Sequence, residues 1–186
     1  MLRRWHYNLR TTWQRLDKAA LGFALAPLLV IAGLGFALQS VFAARDQQRA
    51  VLRETHENNL ACLARNVYFE ARGEPLAGQY AVAEVTLNRR ATLGFPRTVC
   101  EVVYQKTWDP QRKRYVGAFS WTEFDSLPAP GGESWLRARE VAEATYYRRH
   151  PPVVNGALFY HATHIRPDWA PQRERVARIG RHVFYR

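Results

Sequence analysis

Glu70 is the side chain of this sequence best placed to do chemistry. Apolar residues upstream of it fall at Leu60, Leu63 and Val67, a spacing of three then four that marks the buried stripe of an amphipathic helix. Seven residues after Leu63 the stripe reaches Glu70, so a carboxylate stands where the pattern calls for a core side chain. Gly73 and Pro75 stop the helix just beyond it. Partial desolvation disfavours the charged carboxylate and raises its pKa. A carboxylic acid can then keep its proton at neutral pH and act as a general acid. The competing role is structural, an ion pair with Arg65, Arg72 or a more distant arginine. Glu74 lies four residues on, beside Pro75, where a role at the start of the next helix fits better than chemistry.

Two other sets of residues carry chemical potential. His161, His164 and His182, with Glu70 as base, can be imagined as the ligand set of a zinc amidase. The His161-x-x-His164 pair, however, falls at the end of an expected strand, not on a helix where two imidazoles share a face. Cys62 and Cys100 are the only cysteines and form no C-x-x-C pair. A thiolate zinc site is therefore disfavoured; in an exported chain Cys62 and Cys100 can form a disulfide, with two buried thiols as the alternative.

The elements that must position Glu70 follow from pattern and punctuation. After the helix that carries it, Leu76, Tyr80, Ala83 and Leu87 are expected to line one side of a second helix leaving through Asn88-Arg89-Arg90. Glu70 thus sits at a corner between two helices. Thr98 and Glu101, ahead of Val102 and Val103, read as a capping box opening a short third helix. Residues 106–117 read as a loop or hairpin. Pro128-Ala129-Pro130-Gly131-Gly132 breaks regular structure before a helix from Glu133 to about Arg149, with Trp135, Ala138, Ala142 and Thr145 on one face. Asn155-Gly156 is a turn leading to a short strand over Ala157–His161, and a second strand is expected at His182–Tyr185. The class is helix-dominated α+β with a minor sheet.

The segment Leu63-Ala64-Arg65-Asn66-Val67-Tyr68-Phe69-Glu70-Ala71-Arg72-Gly73-Glu74-Pro75, continued by Gly78-Gln79 and Ala81–Arg89, resembles the signature of the SleB-type cell-wall hydrolases, the spore-cortex-lytic enzymes. Similarity continues in order through Phe95–Tyr104, Phe119-Ser120-Trp121, Tyr160-His161-Ala162, Trp169-Ala170 and Ile179–Tyr185. Where the family often has Gln before Phe-Ser-Trp, this chain has Ala118. The resemblance implies a lysozyme-like catalytic domain that cleaves peptidoglycan glycan strands as a lytic transglycosylase. In that chemistry one Glu protonates the glycosidic oxygen, and the substrate's own C6 hydroxyl closes a 1,6-anhydro ring, so no second carboxylate, cofactor or metal is expected. A glycan groove needs flat apolar faces and hydrogen-bonding groups, for which Ser120, Trp121, Tyr160, His161 and Trp169 are the candidates. For the aromatics, core packing is the competing role.

Composition sets the outer bounds. The 186 residues include 27 Lys plus Arg against 16 Asp plus Glu, a net charge of +11. A basic surface attracts any polyanion, but no nucleic-acid fold signature accompanies it, and no nucleic-acid partner is expected. A non-catalytic peptidoglycan-binding module remains a rival, although it leaves a carboxylate on the buried seam unexplained. The run Ala19–Leu38 has no charged residue and matches the thickness of a bilayer's hydrocarbon core. With basic residues before it, the positive-inside rule puts the N-terminus in the cytoplasm. The expected organisation is a basic cytoplasmic leader at 1–18, a transmembrane helix at 19–42, a helical stalk or linker at 43–57 and a catalytic domain at 58–186. That makes a single-pass protein of the inner membrane with its domain on the extracytoplasmic, periplasmic side. A signal peptide cleaved near Val41-Phe42-Ala43 is the alternative.

Overall fold

The computed structural model describes residues 18–110 and 112–186. Residues 1–17 of the expected leader lie outside the described residues. The chain divides into two units, one ending at Arg53 and the other spanning Glu54–Arg186.

The first unit is helical from Lys18, the start of helix α1 (Lys18–Ala71). Phe23, Leu28, Leu29, Ile31, Leu34, Phe36 and Phe42 are all exposed on it, with Pro27 inside the helix. Apolar side chains left in contact with solvent on every side of a helix, over about the length of a bilayer core, suit a lipid environment. An anchor and a signal sequence share this length and composition. The segment expected as stalk, 43–57, is helical throughout.

The second unit begins within α1 and continues with α2 (Leu76–Ala91), α3 (Val99–Val103), strands β1 (Lys106–Asp109) and β2 (Arg114–Gly117), a 3-10 turn (Ser120–Glu123) and α4 (Gly132–Tyr146). It closes with β3 (Phe159–Ala162), a second 3-10 turn (Ala170–Gln172), β4 (Arg175–Ile179) and β5 (His182–Tyr185). β1 and β2 form an antiparallel hairpin; β3, β5 and β4, in that spatial order, form an antiparallel sheet with β5 at its centre. The helix-dominated α+β class with a minor sheet holds for the molecule.

Helix α2 is the hub. Its Ala83 joins Leu63, Val67, Val99, Val103, Phe119, Trp121, Ala138 and Val141 in one apolar cluster. Its Ala81 and Val85 join Val154, Ala157 and Phe184 in a second cluster beneath the sheet. The helix is therefore buried on more than the one side expected, while Leu76 is exposed. Burial on several sides also draws in polar residues, and each has a partner. Glu84 accepts the Val153 and Val154 N–H groups at 2.9 Å, pinning the loop after α4. Asn66 of α1 donates to Thr86 Oγ1 at 3.0 Å and accepts from Trp121 Nε1 at 2.9 Å, locking α1, α2 and the first 3-10 turn together. The capping box of Thr98 and Glu101 opens α3 as expected, and a disulfide between Cys62 and Cys100 ties that helix to α1.

Candidate active site

Glu70 lies in the last turn of α1, half-buried, on the stripe that Leu63 and Val67 continue into the core. Three donors converge on its carboxylate. The Tyr160 hydroxyl donates to Oε2 at 3.0 Å, and the backbone N–H of Trp121 and the hydroxyl of Ser120 supply the others. Burial pushes the Glu70 pKa up. The hydrogen bonds from Tyr160, Trp121 and Ser120 and the charge of Arg89 pull it back only in part, so the net shift is upward.

Each donor has a structural reason to be there. Trp121 is buried, its ring stacked on Phe69 with centroids 4.8 Å apart and its Nε1 tied to Asn66. The docked indole sets the 3-10 turn so that the Trp121 N–H and Ser120 face Glu70. Trp121 therefore meets Glu70 through its backbone, and of the two roles open to its flat ring, sugar platform or core packing, the ring takes the core. Tyr160 reaches across from β3, its ring between His182 and Phe184. Burial and the neighbouring Glu70 hold the Tyr160 hydroxyl well above its ordinary pKa, so it stays a donor.

Strand alternation separates the remaining candidates. Tyr160 pairs with Phe184 and His161 with Val183, so His161 emerges on the opposite face of the sheet. There its ring stacks on Tyr185, and Trp169 packs against His161, Phe159 and Tyr185. His161 and Trp169 are thus not brought to Glu70. His182 lies on the Tyr160 face, away from His161, so the imidazoles do not converge as a ligand set. Among the described residues no group of three or more His, Cys, Asp or Glu is placed to hold a metal.

Arg89, which the sequence pattern places at the exit of the second helix, belongs to the site. It is buried, donates from Nε to the Leu158 carbonyl at 2.7 Å, and its guanidinium lies 5.3 Å from the Phe119 ring centroid. Its charge acts on both Glu70 and Tyr160. The signal was available, because Val82, Val85 and Arg89 follow the same buried spacing that singled out Glu70.

Glu74 is structural. It accepts from the Arg181 backbone N–H at 2.8 Å and from Arg181 Nε at 2.7 Å. The turn it holds contains Gly180 at φ +55°, where a Cβ would run into the Glu74 carboxylate. Its side chain does not cap α2. Burial raises the Glu74 pKa, but the two Arg181 hydrogen bonds and the nearby His182 outweigh it, leaving the carboxyl below its ordinary value. A depressed folded pKa contributes stability above the unfolded value, and that stability is lost as pH falls through the folded one. Glu74→Gln is therefore expected to cost about 1–3 kcal/mol at pH 7. In denaturant titrations the gap from the unaltered protein should narrow as pH drops below 4.5, the ordinary value for this carboxyl. A gap independent of pH would assign the cost to packing instead.

Residues 73–185 match the family model described as Cell Wall Hydrolase. The chain belongs to the cell wall hydrolase family. Arg89, Ser120, Trp121 and Tyr160 lie inside the matched stretch, while Glu70 precedes it by three residues. Among its relatives, the spore cortex-lytic enzyme of Bacillus cereus is 28% identical over 131 residues, covering 69% of this chain and 44% of that protein. The enzyme of the same description from Bacillus subtilis is 30% identical over 138 residues, covering 68% and 37%. The chain thus spans less than half the length of these curated relatives. The crystal structure of the catalytic domain of the Bacillus cereus SleB protein matches with a TM-score of 0.54 at 29% identity, covering 70% of this chain and 91% of that one. The catalytic domain of the germination-specific lytic transglycosylase SleB from Bacillus anthracis matches with a TM-score of 0.51 at 28% identity, covering 69% and 94%.

Proposed function

We propose that residues 58–186 form a peptidoglycan-cleaving lytic transglycosylase in which Glu70 is both acid and base. The observation that carries this reading is the half-buried Glu70 carboxyl with its pKa raised, held by Tyr160, Ser120 and the Trp121 N–H. In the proposed step protonated Glu70 gives its proton to the oxygen linking N-acetylmuramic acid C1 to N-acetylglucosamine C4. As the C1–O4 bond breaks, positive charge develops at C1, and the muramic acid C6 hydroxyl forms the new C1–O6 bond. The Glu70 carboxylate takes the hydroxyl proton, leaving a 1,6-anhydro end and a free C4 hydroxyl, with the acid regenerated. Between the two transfers the carboxylate is negative, and the buried charge of Arg89 with the Tyr160 donor stabilises it.

In this reading the domain is tethered by the apolar helix at 19–42, in the inner membrane, with the domain outside the cytoplasm. The exposed apolar side chains of that helix and the wall substrate of the family support the placement. The zinc amidase reading loses ground because His161 and His182 lie on opposite faces of the sheet. The test is mass spectrometry of muropeptides released from wall sacculi by the full chain. Anhydro ends are expected; reducing ends would mean simple hydrolysis, and free stem peptides an amidase. A reporter fused after Arg186 should be active only outside the cytoplasm.

A further inference from the structure

The β1–β2 hairpin carries an aromatic pair that the site around Glu70 does not use. Trp108 and Tyr115 are cross-strand partners with ring centroids 5.3 Å apart, yet they are 51% and 63% exposed. Alternation puts Lys106 on the same face, two residues before Trp108. Lys113 stands in the connecting turn, and among the described residues neither lysine has an ion pair. The other face carries Arg114, which pairs with Glu123 of the 3-10 turn at 2.8 Å.

The hairpin is not an isolated flap. Glu123 Oε1 accepts the Gly117 N–H at 2.8 Å, and the Ala118 N–H donates to the Gln105 carbonyl at 2.8 Å. A Cβ on Gly117 would collide with Thr122 Oγ1 and press on the Phe119 carbonyl, so the strand end packs tightly on the turn. This is the turn that delivers Ser120 and the Trp121 N–H to Glu70. An open pair of flat rings beside free lysines, fastened to the segment that contacts the carboxyl, suits a partner made of rings with carboxylates along them. A bilayer fits less well, because the tip residues Asp109, Pro110, Arg112 and Lys113 are polar or rigid where an inserted hairpin would be apolar.

We propose that the Trp108–Tyr115 face is a second glycan-binding surface. It stacks on sugar rings of a peptidoglycan strand away from the bond being cut, with Lys106 and Lys113 meeting carboxylates of the stem peptides. This rests on the peptidoglycan reading of the site. It assigns to the hairpin retention on the polymer, a property separate from cleavage.

The test uses the full chain in detergent, carrying Glu70→Gln so that binding is read without turnover. In co-sedimentation with purified sacculi, adding Trp108→Ala and Tyr115→Ala is expected to weaken retention about 10-fold, as for loss of an anchoring aromatic cluster. Because a cross-strand pair also steadies its hairpin, the same loss should follow from Trp108→Leu with Tyr115→Leu, which keeps apolar bulk without a flat ring. Trp108→Phe should retain binding. With Glu70 intact, the paired changes should lower turnover on sacculi and leave turnover on a short soluble muropeptide within about twofold. Failure of the cleavage chemistry would appear in the products and leave the retention result standing. Unchanged retention in both paired variants would overturn the proposal. So would loss of retention on neutralising Lys106 and Lys113 with none on removing the rings. Quenching of a fluorophore on Lys113→Cys by brominated lipids, with sacculus retention unaffected, would assign the hairpin to the membrane surface and overturn it as well.

Discussion

Glu70→Gln is expected to lower turnover on peptidoglycan by about 100-fold or more, the usual loss when a general acid is removed. Gln keeps the size of the side chain and an oxygen that can accept from the Tyr160 hydroxyl, but it has no proton to give. Folding should survive. The folded Glu70 pKa is raised, so its contribution to stability is greatest below the ordinary value and is lost as pH rises through the folded one. At neutral pH and above, the Gln variant should therefore be at least as stable as the unaltered protein. The same protonation sets the pH profile: activity requires the acid form and falls as pH rises through the raised pKa. Tyr160→Phe removes the largest of the interactions that lower that pKa. The alkaline limb of kcat/KM should then move to higher pH in the Phe variant, an effect that a purely structural tyrosine would not produce. Near-full turnover in Glu70→Gln would remove Glu70 from the mechanism whatever the profile.

The parts of this site that were legible in the sequence are those governed by local periodicity. A carboxylate at the seventh position after Leu63 on an apolar stripe is a one-helix inference, and the structure keeps Leu63 and Val67 buried beneath it. The capping box at Thr98 and Glu101 and the strand at His182–Tyr185 are equally local. Other features depend on neighbours that a single segment does not reveal. Strand β4 has arginines at both Arg175 and Arg178, and this charge suits an edge of the sheet but hides the apolar alternation of a strand. Trp121 and Trp169 look alike as candidate sugar platforms. Only tertiary placement puts one ring in the core against Phe69 and the other on the far face of the sheet.

Arg89 shows why the electrostatics were harder to read than the fold. Its position on the buried seam of α2 was visible, but its relation to Glu70 depends on which sides of α1 and α2 face each other, and spacing within either helix does not give that. Desolvation alone would raise the Glu70 pKa further. A buried guanidinium close by, with its own hydrogen bond to Leu158, limits the rise and favours the carboxylate once the proton has left. An acid that must become the base in the next step needs both forms accessible. The combination of burial with one nearby cation supplies that balance where burial alone would lock the proton in place.

Breaking the Cys62–Cys100 disulfide should lower the stability of the Glu54–Arg186 unit by roughly 3–4 kcal/mol, the chain-entropy value for a loop of this size. The bond spans 38 positions of sequence and fixes the five-residue helix α3 to α1. A helix that short has no stability of its own. It is otherwise held by its capping box, by Asn59 Oδ1 accepting the Val99 N–H at 2.8 Å, and by the buried Val99, Val102 and Val103. These contacts organise α3 in the folded state, whereas the disulfide acts mainly by restricting the unfolded chain, so the two contributions should be separable. Cys62→Ser with Cys100→Ser should shift the denaturant midpoint downward with a steeper slope, because the unfolded chain is no longer held compact, and lower the melting temperature by on the order of 10 °C. Reduction of the unaltered protein should reproduce the shift, and alkylation under non-reducing, denaturing conditions should find no free thiol. Because the bond needs an oxidising compartment, chain made in a reducing cytoplasm should share the lower midpoint until it is oxidised. A shift below about 1 kcal/mol would mean that Asn59 and the core valines hold α3 unaided, the unfolded chain being compact enough that closing the loop costs it little.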